Sequence, residues 1–214
     1  HLRGQSHVDK NDAEQAANTE CVLEITGRVQ QFVFENVTEK PVPSLLRGFS
    51  APVRLDYPYT RDELAFLMSH DSDGFNRWDA AQQFGVQVLQ QLVEKALRHQ
   101  TLELDVKLIA AYRVLLQDET LDPAVVALML ELPGENYLAE QSSVAHPAAI
   151  HQARQFARKT LANELRHELK GLYHRYQPTG GYQPVAEAIA SRSLKNISLS
   201  YLALLNEKEF AQMC

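Results

Sequence analysis

The stretch ENVTEKPVPSLLRGFSAPVRLDYPYTRDELAFLM, residues 35–68, decides the fold because it passes from extended chain to helix within a few positions. Its first 24 residues contain four prolines. Proline donates no backbone hydrogen bond and drives the preceding residue toward extended conformations, so this half is predicted to hold strands and turns. At residues 60–63, TRDE is a capping box, and apolar residues at helical spacing follow it. The sequence therefore predicts β structure before Thr60 and helix after it.

Three segments before Thr60 have the composition of β-strands. They are CVLEI at residues 21–25, VQQFVFENV at residues 29–37 and VRLDY at residues 53–57. The first is rich in β-branched and apolar residues, and the other two divide their side chains between two faces. Three strands are too few to close a barrel, so a sheet fragment with an exposed edge is predicted near residues 22–57. Such an edge favours self-association.

Helical periodicity continues from residue 60 to the end of the chain. One stripe predicts a helix from about residue 75 to residue 98, formed by Phe75, Trp78, Ala81, Gly85, Val88, Leu92 and Ala96. A second stripe consists of Leu108, Ile109, Tyr112, Leu115 and Leu116. Proline at the first helical position predicts three later helix starts, at Pro123, Pro147 and Pro184.

The last two of these helices are predicted in more detail. The helix from Pro147 should continue until PTGG, residues 178–181, stops it. The helix from Pro184 should bury Ile189, Ile197, Tyr201 and Leu205. Short connections between amphipathic helices make antiparallel neighbours. The predicted fold is therefore mainly α, with stacked antiparallel helical hairpins in a superhelix-like array after a small β-sheet fragment.

Composition excludes several classes of function. The 214 residues include 21 Lys and Arg against 27 Asp and Glu, which gives a net charge of -6 and argues against nucleic-acid binding by charge. No apolar run reaches the length of a membrane span, and a cytoplasmic protein without a membrane partner is expected. Cys21 and Cys214 lie near opposite ends, so a disulfide framework is not expected.

The HELKG segment is a candidate metal site that fails on its spacing. His167 and Glu168 begin an H-E pair, but the second histidine of H-E-x-x-H would fall at Gly171. Glu164 and His167 have the Glu-x-x-His spacing of carboxylate-bridged metal bundles, which need a second copy that the sequence lacks. A solvated helix face is therefore predicted here.

The segment SHDSDG, residues 69–74, allows two interpretations. It is similar in composition to a calcium loop but lacks the later glutamate and the regular ligand spacing. The favoured interpretation is a polar turn in which Asp73 caps the helix that begins near Phe75. Trp78 is predicted to be a core residue rather than a ligand platform. No catalytic, cofactor-binding or metal-binding residue is predicted in this chain.

The segment FVFENVTEKPVPSLLRGFSAPVRLDYPYTRDELAFLMSHDSDGFNRWDAAQ, residues 32–82, resembles the bacterial aminopeptidase N family of zinc metallopeptidases. The most specific parts are PVPSLLRGFSAPV at residues 41–53 and FNRWDAAQ at residues 75–82. A looser likeness extends the resemblance to about residues 22–205 through LDPAVVALMLELP, ARKTLANELRHEL and SRSLKNISLSYLALL. In that family the matched segment joins a third, β-sandwich domain to a C-terminal helical domain.

The chain is expected to have three parts. Residues 1–20 are polar and have no helical or strand period, which predicts a loop or linker. The resemblance implies that residues 21–58 are the end of the β-sandwich and residues 59–214 an incomplete C-terminal helical domain. PYTRDE, residues 58–63, would be a hinge-like seam between the two domains. The chain does not begin with Met, and a fragment of a longer protein is expected.

The resemblance also implies a four-domain enzyme that removes N-terminal residues from peptides through one zinc ion. The zinc-binding H-E-x-x-H and the amine-binding G-A-M-E-N of the family do not occur in this sequence, so no catalytic residue is carried over. The chain is expected to be a non-catalytic support and substrate-access lid whose partners are the parent catalytic domain and its peptide substrates. On its own it should hydrolyse no aminoacyl p-nitroanilide and bind no stoichiometric zinc.

A second reading remains open. A free-standing helical scaffold that binds another protein would show the same stacked hairpins, because a fold does not fix a function.

Overall fold

The computed structural model describes residues 5–6, 20–35, 37–178 and 180–213 of the chain. Cys214 therefore lies outside the described residues, as does most of the predicted linker at residues 1–20. The chain divides into two units, His1–Pro41 and Val42–Cys214. The predicted domain boundary at residues 58 and 59 stays a prediction.

The first unit contains a minimal sheet. β1, Gln5–Ser6, pairs in parallel with β2, Gln31–Phe32, and β1 falls within the segment predicted as a loop. The strand prediction for residues 29–37 holds only for the two residues of β2, and the prediction for residues 21–25 is wrong. A strand needs a neighbour to pair with its backbone, and a composition rich in β-formers does not supply one.

The second unit is helical, as predicted. Its α-helices are α1 Arg61–His70, α2 Gly74–Leu97, α3 Val106–Gln117, α4 Pro123–Met129, α5 Glu135–Glu140, α6 Pro147–Glu164, α7 Arg166–Arg175, α8 Ala186–Leu202 and α9 Lys208–Ala211. Short 3-10 helices occupy Arg47–Phe49 and Ala203–Leu205. The predicted strand at residues 53–57 is wrong, because this segment is extended but has no strand pairing.

The capping box predicts the start of α1 correctly. The Thr60 hydroxyl accepts a hydrogen bond from the Glu63 backbone N–H at 3.2 Å, and the Glu63 carboxylate accepts one from the Thr60 N–H at 2.9 Å. Both bonds satisfy amide groups that the first turn of a helix leaves free. Pro123 and Pro147 also begin their helices as predicted, whereas α8 begins two residues after Pro184.

The core lies between α2 and the helices packed around it. The most extensive helix contacts join α1 to α2, α7 to α8, α2 to α6, α4 to α8 and α1 to α3. The predicted stripe of α2 is buried from Ala81 to Ala96, whereas Phe75 is exposed and Trp78 is half-buried. Stacked helical hairpins are therefore confirmed as the architecture.

One predicted helix is two helices in the structure. The helix from Pro147 ends at Glu164, and α7 begins at Arg166. Leu165, between them, has φ -109° and ψ 17°, yet its N–H still bonds to the Leu161 carbonyl and its carbonyl accepts from Leu169, both at 2.9 Å. The bend costs no backbone hydrogen bond at this point and keeps Leu165 buried, and no Gly or Pro marks it in the sequence.

Candidate functional site

The two sequence motifs that carry the family resemblance meet in space. Residues 41–53 lie against the corner between α1 and α2, formed by residues 71–73, and residues 75–82 are the first turns of α2. The motifs contact each other through side-chain hydrogen bonds and an aromatic pair, and the first motif also forms an ion pair with the corner. This contact is the candidate functional site because it joins the most specific parts of the sequence.

Arg47 is the centre of the contact. Its guanidinium donates to the Ser44 hydroxyl at 3.1 Å and to the Ser72 hydroxyl at 2.7 Å, and it forms an ion pair with Asp71. The Asp71 side chain is only 1% exposed, and its Oδ1 also accepts from the Asp73 N–H at 2.9 Å. A guanidinium that meets several acceptors at once fixes the geometry of a segment better than an ammonium would.

Asp73 has two functions at the corner. Its Oδ1 accepts from the N–H groups of Phe75 and Asn76 at 2.9 and 3.0 Å, which caps α2 as predicted, and its Oδ2 accepts from the Gly48 N–H at 2.9 Å. Burial alone would raise the pKa of the Asp73 carboxyl, but the hydrogen bonds from Asn76, Gly48 and Phe75 outweigh burial and hold the pKa below its usual value. The turn interpretation of SHDSDG is thus the one that the geometry supports.

Arg77 lies buried beneath the corner. Its side chain donates to the carbonyls of Met68 and Ser69 at 3.1 and 2.9 Å, which are among the last carbonyls of α1. It also reaches the carboxylate of Asp118 at 3.3 Å. One residue of the FNRWDAAQ motif therefore satisfies the end of α1 and links it to the end of α3.

Asn76 and three aromatic rings complete the contact. The Asn76 amide donates to the Ser44 hydroxyl at 2.8 Å and to the Leu45 carbonyl at 2.9 Å. The rings of Phe49 and Phe75 are 4.0 Å apart, and that of Phe75 is 5.4 Å from Trp78. Trp78 packs against the core as predicted. Sequence reasoning identified the two motifs but not the pairing between them, since no local pattern places Arg47 beside Asp71.

The HELKG residues are engaged in helix packing. Glu168 forms an ion pair with Arg113 of α3 at 3.0 Å, and Arg113 also donates to the Glu164 carbonyl at 2.8 Å. His167 is exposed. In the part of the chain that the structure describes, no three His, Cys, Asp or Glu side chains come close enough to hold a metal ion. These residues therefore do not fit the zinc site that the family resemblance implies.

Two depressions lie on either side of α1. A cleft of about 20 Å³, lined by Ser44, Tyr59 and Asn76 among others, has room for about one water molecule. An open groove of about 290 Å³ between α1 and α3 is lined by Phe66, His70 and Val114 among others. Neither has the size and enclosure that usually surround a small-molecule ligand.

The remaining sequence-based expectations concern exposure and membranes. Cys21 is free and exposed. None of the described helices combines the length and the apolar character needed to cross a bilayer.

Comparison with protein-family models gives two matches that together cover most of the chain. Residues 61–214 match the "Domain of unknown function (DUF3458_C) ARM repeats", and residues 5–58 match the "Domain of unknown function (DUF3458) Ig-like fold". The helical unit has the secondary structure that the ARM-repeat description requires, whereas the described residues of the Ig-like match contain only the short strands β1 and β2.

The curated relatives are peptidases by name. The "Aminopeptidase N" of Escherichia coli K12 is 42% identical over 85% of this chain, and that of Haemophilus influenzae is 34% identical over 86%. Among solved structures, Legionella pneumophila aminopeptidase A in complex with aspartic acid is 30% identical over 84% of this chain, with a TM-score of 0.70. In all three cases the chain spans 21% of the relative's length.

Proposed function

The chain belongs to the family of the ARM-repeat domain DUF3458_C, and we propose that it is a non-catalytic C-terminal portion of a zinc-dependent aminopeptidase that removes N-terminal residues from peptides. The observation that carries this proposal is the 42% identity to an aminopeptidase N over 85% of this chain. The 21% coverage of that relative is consistent with a catalytic domain elsewhere in the parent protein. Zinc is assigned to that other domain.

Within the parent, this chain acts as structural support and as a substrate-access lid. A continuous core that extends from Leu64 of α1 to Phe210 of α9 favours the support role. The lid role is favoured because the groove between α1 and α3 is open, so a peptide would contact this chain as one wall of a chamber closed by another domain.

The test of this proposal starts with the reading frame that contains residues 1–214. An H-E-x-x-H motif and a G-A-M-E-N motif upstream in frame are the expected result, and a frame without them would overturn the proposal. The full-length product should hydrolyse leucine p-nitroanilide and lose that activity with a chelator. The isolated chain, assayed as the matched control, should show no turnover and no stoichiometric zinc, and zinc-dependent turnover by the isolated chain would contradict its non-catalytic role.

The lid role has a separate readout in the full-length protein. Arg47→Gln loosens the corner between α1 and α2, so kcat/KM for oligopeptides should change more than kcat/KM for a small aminoacyl p-nitroanilide. Arg54→Gln is the control, because Arg54 lies exposed on the same segment. Equal changes in kcat/KM for both classes of substrate would contradict the lid role and be consistent with structural support alone.

A free-standing scaffold for protein interaction is the alternative. The ARM-repeat description and the open groove between α1 and α3 favour it, since stacked helical repeats offer extended binding surfaces. A reading frame that starts and stops at the ends of residues 1–214 would support this alternative. We also propose a cytoplasmic location, which fractionation of the source cells would test against a membrane or secreted fraction.

A further inference from the structure

Residues 42–59, called the strap here, run across α1 and the start of α2 as part of the second unit. The Ig-like family description covers most of this segment, because its match extends to residue 58. The strap contains one short 3-10 helix and no strand. Its contacts must therefore replace the ladder hydrogen bonds that a sheet would provide.

The first half of the strap is held by polar side chains from the corner. Arg47 bonds to Asp71 and Ser72, and the Gly48 N–H donates to Asp73. Asn76 donates to the carbonyl of Leu45. These are long-range contacts that tie the strap to one end of α1 and the beginning of α2.

The second half of the strap closes on its own beginning. The Tyr59 hydroxyl donates to the Pro43 carbonyl at 2.7 Å, and Val42 and Tyr57 pack against the helical core. Burial raises the pKa of Tyr59 to about 12, so its hydroxyl remains a donor across the physiological range. The Gln87 amide of α2 donates to the Tyr59 carbonyl at 3.4 Å. The strap is therefore fixed to the helical unit at both ends.

The backbone of the strap is strained at the point where Arg47 holds it. Leu46 and Phe49 have φ of 57° and 55°, and Gly48 between them has φ of 61°. A left-handed conformation is unfavourable for a residue with a side chain and persists only where the surroundings determine it. In addition, the buried Oδ2 of Asp71 has no hydrogen-bond partner among the described residues. Both features are unfavourable, so the contacts of Arg47 with Asp71 and Ser72, called the Arg47 clasp here, must outweigh them.

From these contacts we propose that the strap folds and unfolds together with the helical unit, although most of the strap lies within the Ig-like match. The boundary between the two folding units would then lie before residue 42 and not where the two family matches meet. The sequence-based expectation of a hinge-like seam at residues 58–63 places this boundary after the strap instead. The position of the boundary matters for movement. If the residues before Val42 moved, the Arg47 clasp would keep the strap in place on the helices. The strap is then a fixed extension of the helices.

Limited proteolysis of the full 214-residue chain with chymotrypsin tests this proposal, because cleavage requires local unfolding. Phe32 and Phe34 in the first unit and Leu45, Phe49 and Leu55 in the strap are potential cleavage sites. Cleavage in the strap should be slower than cleavage at Phe32 and Phe34 by on the order of tenfold or more. Equal rates would overturn the proposal.

Arg47→Gln should raise the rate of strap cleavage by on the order of tenfold without exposing sites in α2, whereas the control Arg54→Gln should leave the rate unchanged. Ser72→Ala removes one partner of Arg47 and gives a milder, separate test in case Arg47→Gln unfolds the chain. If Arg47→Gln unfolds the whole chain and the strap of Ser72→Ala is cleaved no faster than that of the parent sequence, the Arg47 clasp does not hold the strap on the helices.

Discussion

Two extended segments of similar composition have different environments in this molecule. Residues 20–35 include Val22, Ile25 and Phe34, which are 93%, 60% and 58% exposed. The strap also contains a predicted strand, residues 53–57, in which Val53 and Leu55 are 61% and 36% exposed but Tyr57 packs against the helical core, and Val42 and the buried Tyr59 anchor the ends of the strap. Strand-forming composition alone therefore determines neither pairing nor burial.

The difference between the segments lies in what their neighbours provide. β2 has only two residues of ladder with β1, so few of the backbone groups in residues 20–35 are bonded to another strand. In the strap, the Arg47 guanidinium and the Gly48 N–H donate to carboxylate and hydroxyl groups of residues 71–73, and the Asn76 amide donates to the Leu45 carbonyl. An extended segment can thus be fixed by side chains from helices where no sheet is available.

The largest expected effect is on the helices under the strap. Arg77→Ala leaves two buried carbonyls of α1 without their donor and removes the partner of Asp118, at a cost of about 3 kcal/mol in the free energy of unfolding. For a chain of this size the melting temperature should fall by about 6–12 °C. Arg98→Ala is the control, because its pair with Glu94 is exposed and contributes at most about 0.5 kcal/mol. Similar melting temperatures for both variants would show that Arg77 does not stabilise the ends of α1 and α3 beneath the strap.

The next effect compares two glycines in helices. A Cβ at Gly85 in α2 would lie 2.9 Å from Cδ of Pro133, so Gly85→Ala should overpack the contact. We expect a net loss of about 1–2 kcal/mol, since overpacking outweighs the gain in helix propensity. Gly171→Ala in α7 meets no atom within 4 Å and should stabilise the chain by about 0.5–1 kcal/mol. Thermal unfolding of both variants checks this, and a stabilising Gly85→Ala would mean that α2 is packed less closely than the structure indicates.

A smaller effect tests the corner that holds the strap. Asp73→Ala removes the cap of α2 and the acceptor for Gly48, and it should cost about 1 kcal/mol at pH 7. Because the pKa of Asp73 in the folded chain is depressed, the contribution of its charge is present above the unfolded pKa of about 4 and disappears as the pH falls through the folded pKa. Melting curves from pH 7 to pH 2 should show the gap between parent and variant narrowing in acid. Asp73→Asn, which keeps an acceptor, should lose less at pH 7, and a gap that is constant with pH would contradict the role of the charge.

Much of the fold was accessible from the sequence because its determinants are local. A capping box at Thr60 and helical stripes of apolar residues report on adjacent turns of one helix, and both predicted α1 and α2 correctly. The break at Leu165 was not predicted, because no Gly or Pro marks it and the buried leucines on both sides continue the apolar stripe across it. Ile189, predicted to be buried, is 50% exposed for a related reason: periodicity gives a face but not the helix that covers it.

The candidate site divides in the same way. The capping role of Asp73 was predictable because its partners lie two and three residues away. The pairing of Arg47 with Asp71 spans 24 residues, and the left-handed conformations of Leu46 and Phe49 contradict the preferences of those residues. Only the surrounding structure determines them. The family resemblance marked the importance of both motifs, but it did not indicate that they touch.

The smallest effect concerns the segment that has no strap-like support. The sequence predicts self-association through an exposed sheet edge near residues 22–57. Of the described residues in that range, only those of β2 form a strand, and Val33, 54% exposed beside it, is a suitable probe. Val33→Lys places a charge at this edge and should weaken any association by a few fold, while Val106→Lys, on an exposed helix position, should not. Light scattering over a range of concentrations measures both variants. A parent chain that stays monomeric at high concentration would contradict the prediction. It would show that an apolar segment with few strand contacts can remain exposed without binding a second copy of the chain.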